Sequence, residues 1–116
     1  MRTSSIKLSP FLRTQLDKTL YQVIADLKDG KEIETFLNDF LNESELETFV
    51  KRLAVAYWLK KGRSYSNIKE NLKVSSATIA SIQETINKPG IKLALKKLEA
   101  EEWANVWSEK IRTFIK

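Results

Sequence analysis

The sequence predicts an all-α fold, and three observations lead there. Apolar residues recur mostly three and four positions apart, the spacing that gathers side chains on one helical face. Only three glycines and two prolines interrupt 116 residues, so breaks in that pattern are few. Serine or asparagine stands just ahead of several apolar runs, where a helix N-cap belongs. A single domain, residues 1–116, of this length can bury a core without disulfides or metal.

The elements follow in order. Pro10 sits just before or within the first turn of helix one, whose stripe is Leu12, Leu16, Leu20, Val23 and Leu27, and Gly30 ends it. Helix two carries Ile33, Phe36, Leu37, Phe40 and Leu41. Asn42 reads as the N-cap of helix three, with Glu45 completing a capping box. That helix runs to about Lys61, buries Leu46, Phe49, Val50, Leu53 and Tyr57, and stops at Gly62. Residues 11–61 thus form the core and dimerisation helices.

Residues 64–86 read as a helix-turn-helix. Ser66 is the expected cap of helix four, with Ile68 and Leu72 pointing inward. Lys73 occupies the turn, where such motifs often have glycine, so it needs a left-handed or bridge conformation. Val74 plugs the angle, Ser75 caps helix five, and Ile79, Ile82 and Ile86 share its inner face. Asn87-Lys88-Pro89-Gly90 is expected to end that helix.

The extension, residues 90–116, is one long helix or two joined ones. Ile91, Leu95 and Leu98 share a face, whereas Trp103, Trp107, Ile111 and Phe114 lie well over a third of a turn away. A straight helix cannot press both faces on one surface. It either bends near Glu99–Glu102 or meets two partners, its own core and a second subunit.

The chain has no cysteine and no histidine, which removes thiolate nucleophiles, zinc fingers and imidazole bases. Its carboxylates show no clustered pattern and no glycine loop cradles phosphate, so no enzyme is expected. The longest apolar run, Leu53 to Leu59, is too short to span a bilayer, and Met1 to Pro10 lacks a signal-peptide core. A cytoplasmic protein is expected, with no membrane partner and no metal. Formal charge is +5, unevenly placed. Residues 60–92 hold seven basic and two acidic side chains, a local +5, whereas residues 29–59 hold three and seven, a local −4. Positive potential therefore coincides with the helix-turn-helix, where it attracts phosphate.

Three segments carry a resemblance: Phe40-Leu41-Asn42-Glu43-Ser44-Glu45-Leu46, then Gly62-x-x-Tyr65-x-x-Ile68 with Arg52 ten residues ahead, then Val74-Ser75-Ser76-Ala77-Thr78-Ile79. Over about Phe36 to Ile86 the chain resembles the tryptophan repressor family of bacterial transcription regulators, in its shorter-loop branch. The resemblance implies a six-helix, intertwined homodimer that reads a pseudo-palindrome in double-stranded DNA. By the same resemblance, Lys69 matches a lysine that approaches phosphate, and Ser75, Ser76, Ala77, Thr78 and Ala80 match groove-facing positions. Ser66, Lys73 and Ser81 complete the expected DNA-binding set. Thr78 is placed to donate to phosphate or a base edge, or to close back on its own helix, and Ala77 to touch a thymine methyl.

Family members that sense tryptophan clamp it between two arginines. Arg52 matches the first and is the one candidate cofactor-binding residue. At the second stands Ser81, too short to reach a carboxylate. At the next position Ile82 replaces the glycine that leaves room for the ring. The reading is a sequence-specific regulator, a repressor, with no cofactor and no tryptophan corepressor. The alternative is a helical interaction or dimerisation module that uses Trp103 and Trp107.

Overall fold

The computed structural model describes residues 5–115, with side chains through residue 102. Six helices account for most of it: α1 (Pro10–Asp26), α2 (Gly30–Phe40), α3 (Glu43–Lys60), α4 (Tyr65–Leu72), α5 (Ser76–Gln83) and α6 (Pro89–Ile115). No strand occurs among the described residues. The chain divides into two compact units, Met1–Glu43 and Ser44–Lys116.

In the first unit, Ser9 opens α1 by accepting the Leu12 N–H at 3.3 Å, and Pro10 is the first helical residue. Gly30 does not end α1, which stops at Asp26; Gly30 begins α2. The reason is the cap beside it. Asp29 accepts the Glu32 N–H at 2.9 Å, and Glu32 accepts the Lys28 N–H at 3.2 Å, which satisfies two helix-start donors. Phe36 and Phe40 stack with ring centroids 5.0 Å apart. The α1 stripe has the expected spacing, yet no residue of α1 or α2 is buried. Leu12, Leu16, Leu20 and Val23 remain 40–47% exposed.

In the second unit, the core is Val55 and Ala56 of α3, Ile68 of α4, Ile79 and Ile82 of α5, and Leu95 of α6. The expected inner face of α3 is corrected. Phe49, Val50 and Leu53 are about half exposed, and Leu46 and Tyr57 are half-buried. Leu53 to Leu59 is apolar all round, so periodicity cannot select the side on which α4, α5 and α6 pack. Tyr57, Trp58 and Leu59 flank the chosen side.

The end of α3 needs glycine. Gly62 has φ +83°, its N–H donates to Leu59 O at 3.0 Å, and the Arg63 N–H donates to Trp58 O at 3.1 Å. This paired closure satisfies the last carbonyls of the helix and requires a left-handed residue. After α5 comes a turn, residues 84–87. Pro89 and Gly90 then open α6 instead of ending α5, because the fixed φ of proline suits a first helical position. Ile91, Leu95 and Leu98 face the core as expected, and the backbone of α6 is continuous. The side chains of Trp103, Trp107, Ile111 and Phe114 lie outside the described residues.

A polar pin ties α6 to α3. The Glu102 carboxylate accepts from the Tyr57 hydroxyl and from the Lys61 ammonium at 3.2 Å. The hydrogen bond to Glu102 pushes the Tyr57 hydroxyl up to about 12. Glu102 is held below the usual carboxylate range, by Tyr57 first and Lys61 second. A depressed carboxyl stabilises above its ordinary range and loses that contribution as pH falls through the depressed value. A raised tyrosine contributes below its ordinary 10.0 and loses that contribution as pH rises through about 12. Tyr57→Phe is therefore expected to lower Tm at pH 7, by an amount that shrinks toward pH 3, measured by circular dichroism melts.

The two glycines should respond with opposite signs. Nothing lies within 4 Å of a Cβ added at either Gly62 or Gly90, but only Gly62 has a positive φ. Gly62→Ala is expected to cost about 1 kcal/mol. Gly90→Ala, in helical backbone, is expected to gain about 0.5 kcal/mol by restricting the unfolded chain. Urea titration of both variants checks the pair.

Candidate nucleic-acid interface

The α4–turn–α5 segment is fixed from inside by isoleucines. Ile68 and Ile79 are fully buried and Ile82 is 7% exposed, while Leu72, Val74 and Ile86 pack around them. Isoleucine suits such seats because one helical rotamer dominates and little side-chain freedom is lost. Once these side chains are seated, the opposite face of α5 must point outward. All nine residues predicted to meet DNA are exposed: Ser66, Lys69, Lys73, Ser75, Ser76, Ala77, Thr78, Ala80 and Ser81.

Local capping sets where each helix begins. The cap of α4 is Ser64, not Ser66: Ser64 Oγ accepts the Asn67 N–H at 3.1 Å, and Ser64 O accepts the Ile68 N–H at 3.0 Å. A cap at Ser66 would leave little more than one turn of helix before Lys73. The earlier start adds backbone hydrogen bonds that a later one forgoes. Ser66 instead lies on the exposed side of α4.

Ser75 caps α5 as expected, accepting the Thr78 N–H at 3.1 Å. Its own hydroxyl lies 2.9 Å from Thr78 Oγ1. Thr14, Thr19, Thr35 and Thr48 each donate to the carbonyl four residues back, a bond internal to their helix. Thr78 Oγ1 instead pairs with the cap hydroxyl, where either oxygen can donate, so its hydroxyl is held at the exposed start of α5. Ser75→Ala is expected to cost about 1 kcal/mol of stability. It also frees the Thr78 hydroxyl to turn inward, and a chemical-denaturation curve together with Thr78 hydroxyl exchange by NMR checks both effects.

The turn is made by Lys73, with φ 56° and ψ 50°, a left-handed conformation that costs a residue bearing a Cβ about 1 kcal/mol. Its N–H donates to Lys69 O at 3.1 Å. Its carbonyl accepts from the Lys51 ammonium of α3 at 3.3 Å.

Beside α5 lies an open groove of about 890 Å³. Its lining includes Lys51, Arg52, Lys73 and Lys88, and no carboxylate among the described residues. Sequence alone placed Lys73 and Lys88 in a basic segment but gave no sign that Lys51 and Arg52, on another helix, share the groove. It also passed over Arg63. The Arg63 guanidinium stands 3.9 Å over the Trp58 ring and donates to Asn67 Oδ1 at 3.3 Å, so it ties the end of α3 to the start of α4. An arginine one residue past a helix-ending glycine was the available signal.

A smaller cavity of about 210 Å³ adjoins Arg52. Phe49, Leu53, Ala56, Ile82, Thr85, Ile91 and Ala94 complete its lining, so Arg52 is the one charged group there. Ile82 closes one wall while its side chain belongs to the core. Ser81 lies exposed beside the larger groove.

Among the described residues the chain is thus six helices with an isoleucine-seated helix-turn-helix beside a basic groove that no carboxylate lines. The chain belongs to the Trp repressor family: the family model described as Trp repressor protein matches residues 15–99. The match is wider than the Phe36 to Ile86 stretch carried by short motifs, because α1, α2 and the start of α6 contribute amphipathic pattern without a sharp signature. The chain is 33% identical over 73 residues to the uncharacterized protein YerC of Bacillus subtilis (strain 168), covering 63% of this chain and 69% of that one. It superposes with a TM-score of 0.71 on a TrpR-like protein from Eubacterium eligens ATCC 27750, at 30% identity, over 78% of this chain and 96% of the other.

Proposed function

We propose that this protein is a sequence-specific DNA-binding transcriptional regulator, a repressor, which occupies a pseudo-palindromic operator as a homodimer and excludes polymerase from it. The observation that carries the reading is the outer face of α5. Small and hydroxyl side chains (Ser76, Ala77, Thr78, Ala80, Ser81) are exposed there, and buried isoleucines hold that face outward. Small side chains let a helix approach the floor of a major groove closely. Lys69 and Lys73 supply attraction to phosphate and hence most of the affinity, whereas α5 supplies sequence choice. Family membership supports a regulatory, non-enzymatic role in the cytoplasm; no helix among the described residues is long and apolar enough to cross a membrane.

The homodimer is supported by apolar surface. Within the first unit, α1 and α2 bury nothing, and Phe11, Leu16, Leu20, Ile24 and Phe40 are exposed. Within the second, Phe49, Val50 and Leu53 are exposed on α3. Large apolar side chains left in water within each unit favour burial against a partner, and a two-fold partner would cover the same surfaces on both copies.

The reading has no tryptophan corepressor. Ser81, where tryptophan-sensing relatives carry a second arginine, is too short to reach a carboxylate, and Ile82, which lines the cavity at Arg52, belongs to the core.

Selection from random double-stranded DNA, run with and without tryptophan, is expected to enrich one two-fold symmetric sequence in both arms. Fluorescence anisotropy on that sequence across several salt concentrations should then show Lys69→Ala reducing the salt slope by about one, with binding weakened about equally on all sequences. Thr78→Ala should instead narrow the gap between selected and random DNA. Salt-sensitive binding with no sequence preference would sink the specific-regulator reading.

A further inference from the structure

The turn between α4 and α5 contains an arrangement that groove contacts alone do not explain. A residue with a side chain, Lys73, holds left-handed backbone at the point where the reading helix changes direction. Such a conformation persists only where its surroundings over-determine it. Two of the constraints are local: the Lys73 N–H on Lys69 O and the packing of Val74 against the core. The third comes from 22 residues away, where the Lys51 ammonium donates to the Lys73 carbonyl.

We infer that Lys51 is a positioning residue for the DNA-reading helix: it clamps the left-handed turn and so fixes the direction in which α5 leaves it. This rests on the DNA-reading role proposed above. The geometry is suited to the task. Carbonyls at the C-terminus of α4 lack helical partners and carry the negative end of the helix dipole, so a cationic donor there is favourable. The ammonium is also held from behind by Glu47 Oε1 at 2.9 Å, which limits its reach, and its side chain is only 34% exposed. Although Lys51 lines the basic groove, its ammonium directs one of its three donors to the Lys73 carbonyl and lies beside the Glu47 carboxylate, which offsets its charge. On this proposal it contributes to DNA binding through the shape of the turn.

The two roles differ in what they change. A phosphate-binding lysine alters the salt slope and weakens all sequences alike. A positioning lysine alters discrimination between operator and random DNA, and it alters the turn when no DNA is present. Lys51→Met keeps the length and the apolar stem but removes the donor.

The experiment uses the full chain. Native backbone hydrogen exchange is followed at Lys73, Thr78 and Ile79, whose N–H groups are hydrogen-bonded on either side of the turn, and anisotropy is measured on the selected sequence and on random DNA. Lys51→Met is expected to speed exchange of those amides about tenfold, as loss of a charge-assisted hydrogen bond would. It should narrow the ratio of selected to random affinity by a similar factor and leave the salt slope unchanged. Lys51→Arg, which keeps a cationic donor, should restore slow exchange. In a Lys73→Gly background, where the turn needs no support, Lys51→Met should have little effect on exchange. Unchanged exchange in Lys51→Met overturns the clamp, as does a salt slope reduced by one with discrimination intact. Faster exchange in a chain whose native form binds no DNA keeps the clamp and overturns the DNA-reading role, so the two failures are told apart.

Discussion

The contact on which the second unit depends is the seating of Ile68, Ile79 and Ile82 against Val55, Ala56 and Leu95. Among the described residues it joins four helices through six buried side chains, with no polar side chain buried beside them. Two eight-residue helices, α4 and α5, are too short to be stable alone in water. Their helicity is a consequence of this apolar contact. So is their function as proposed, because the face of α5 opposite the isoleucines is outward by geometry and not by any preference of its own residues.

Around that contact, polar groups set angles. Ser64 and Ser75 fix the starts of the two helices, Gly62 permits the sharp exit from α3, and Arg63 braces that exit on Trp58 and Asn67. Lys51 reaches across from α3 to the Lys73 turn. Glu102 ties α6 to Tyr57 and Lys61. Each is an exposed interaction of modest worth by itself. Together they remove the rocking freedom that an apolar seat, lacking direction, leaves open.

Charge and apolar surface are divided between different faces. Lys51, Arg52, Lys73 and Lys88 line one groove, whereas Phe49, Val50 and Leu53 are exposed on α3. The function proposed above calls on both kinds of surface, one for a second copy and one for a polyanion. Arg52 is the one charged residue lining the smaller cavity, and Ile82, which lines it too, belongs to the core.

The sequence by itself determined the helical class and the inner seat of α5. The three-and-four spacing of Ile79, Ile82 and Ile86, the cap at Ser75 and the left-handed Lys73 are local matters, which neighbouring residues suffice to settle. Tertiary structure decided three things that local pattern cannot rank. Along Leu53 to Leu59 every side is apolar, so only the approach of α4, α5 and α6 selected Val55 and Ala56 over Phe49 and Val50. Ser64 caps α4 in place of the expected Ser66, because the earlier start lengthens the helix. The clamp of Lys51 on Lys73 joins residues far apart in the chain, and no periodicity encodes it, because it exists only once α3 and the turn are packed side by side.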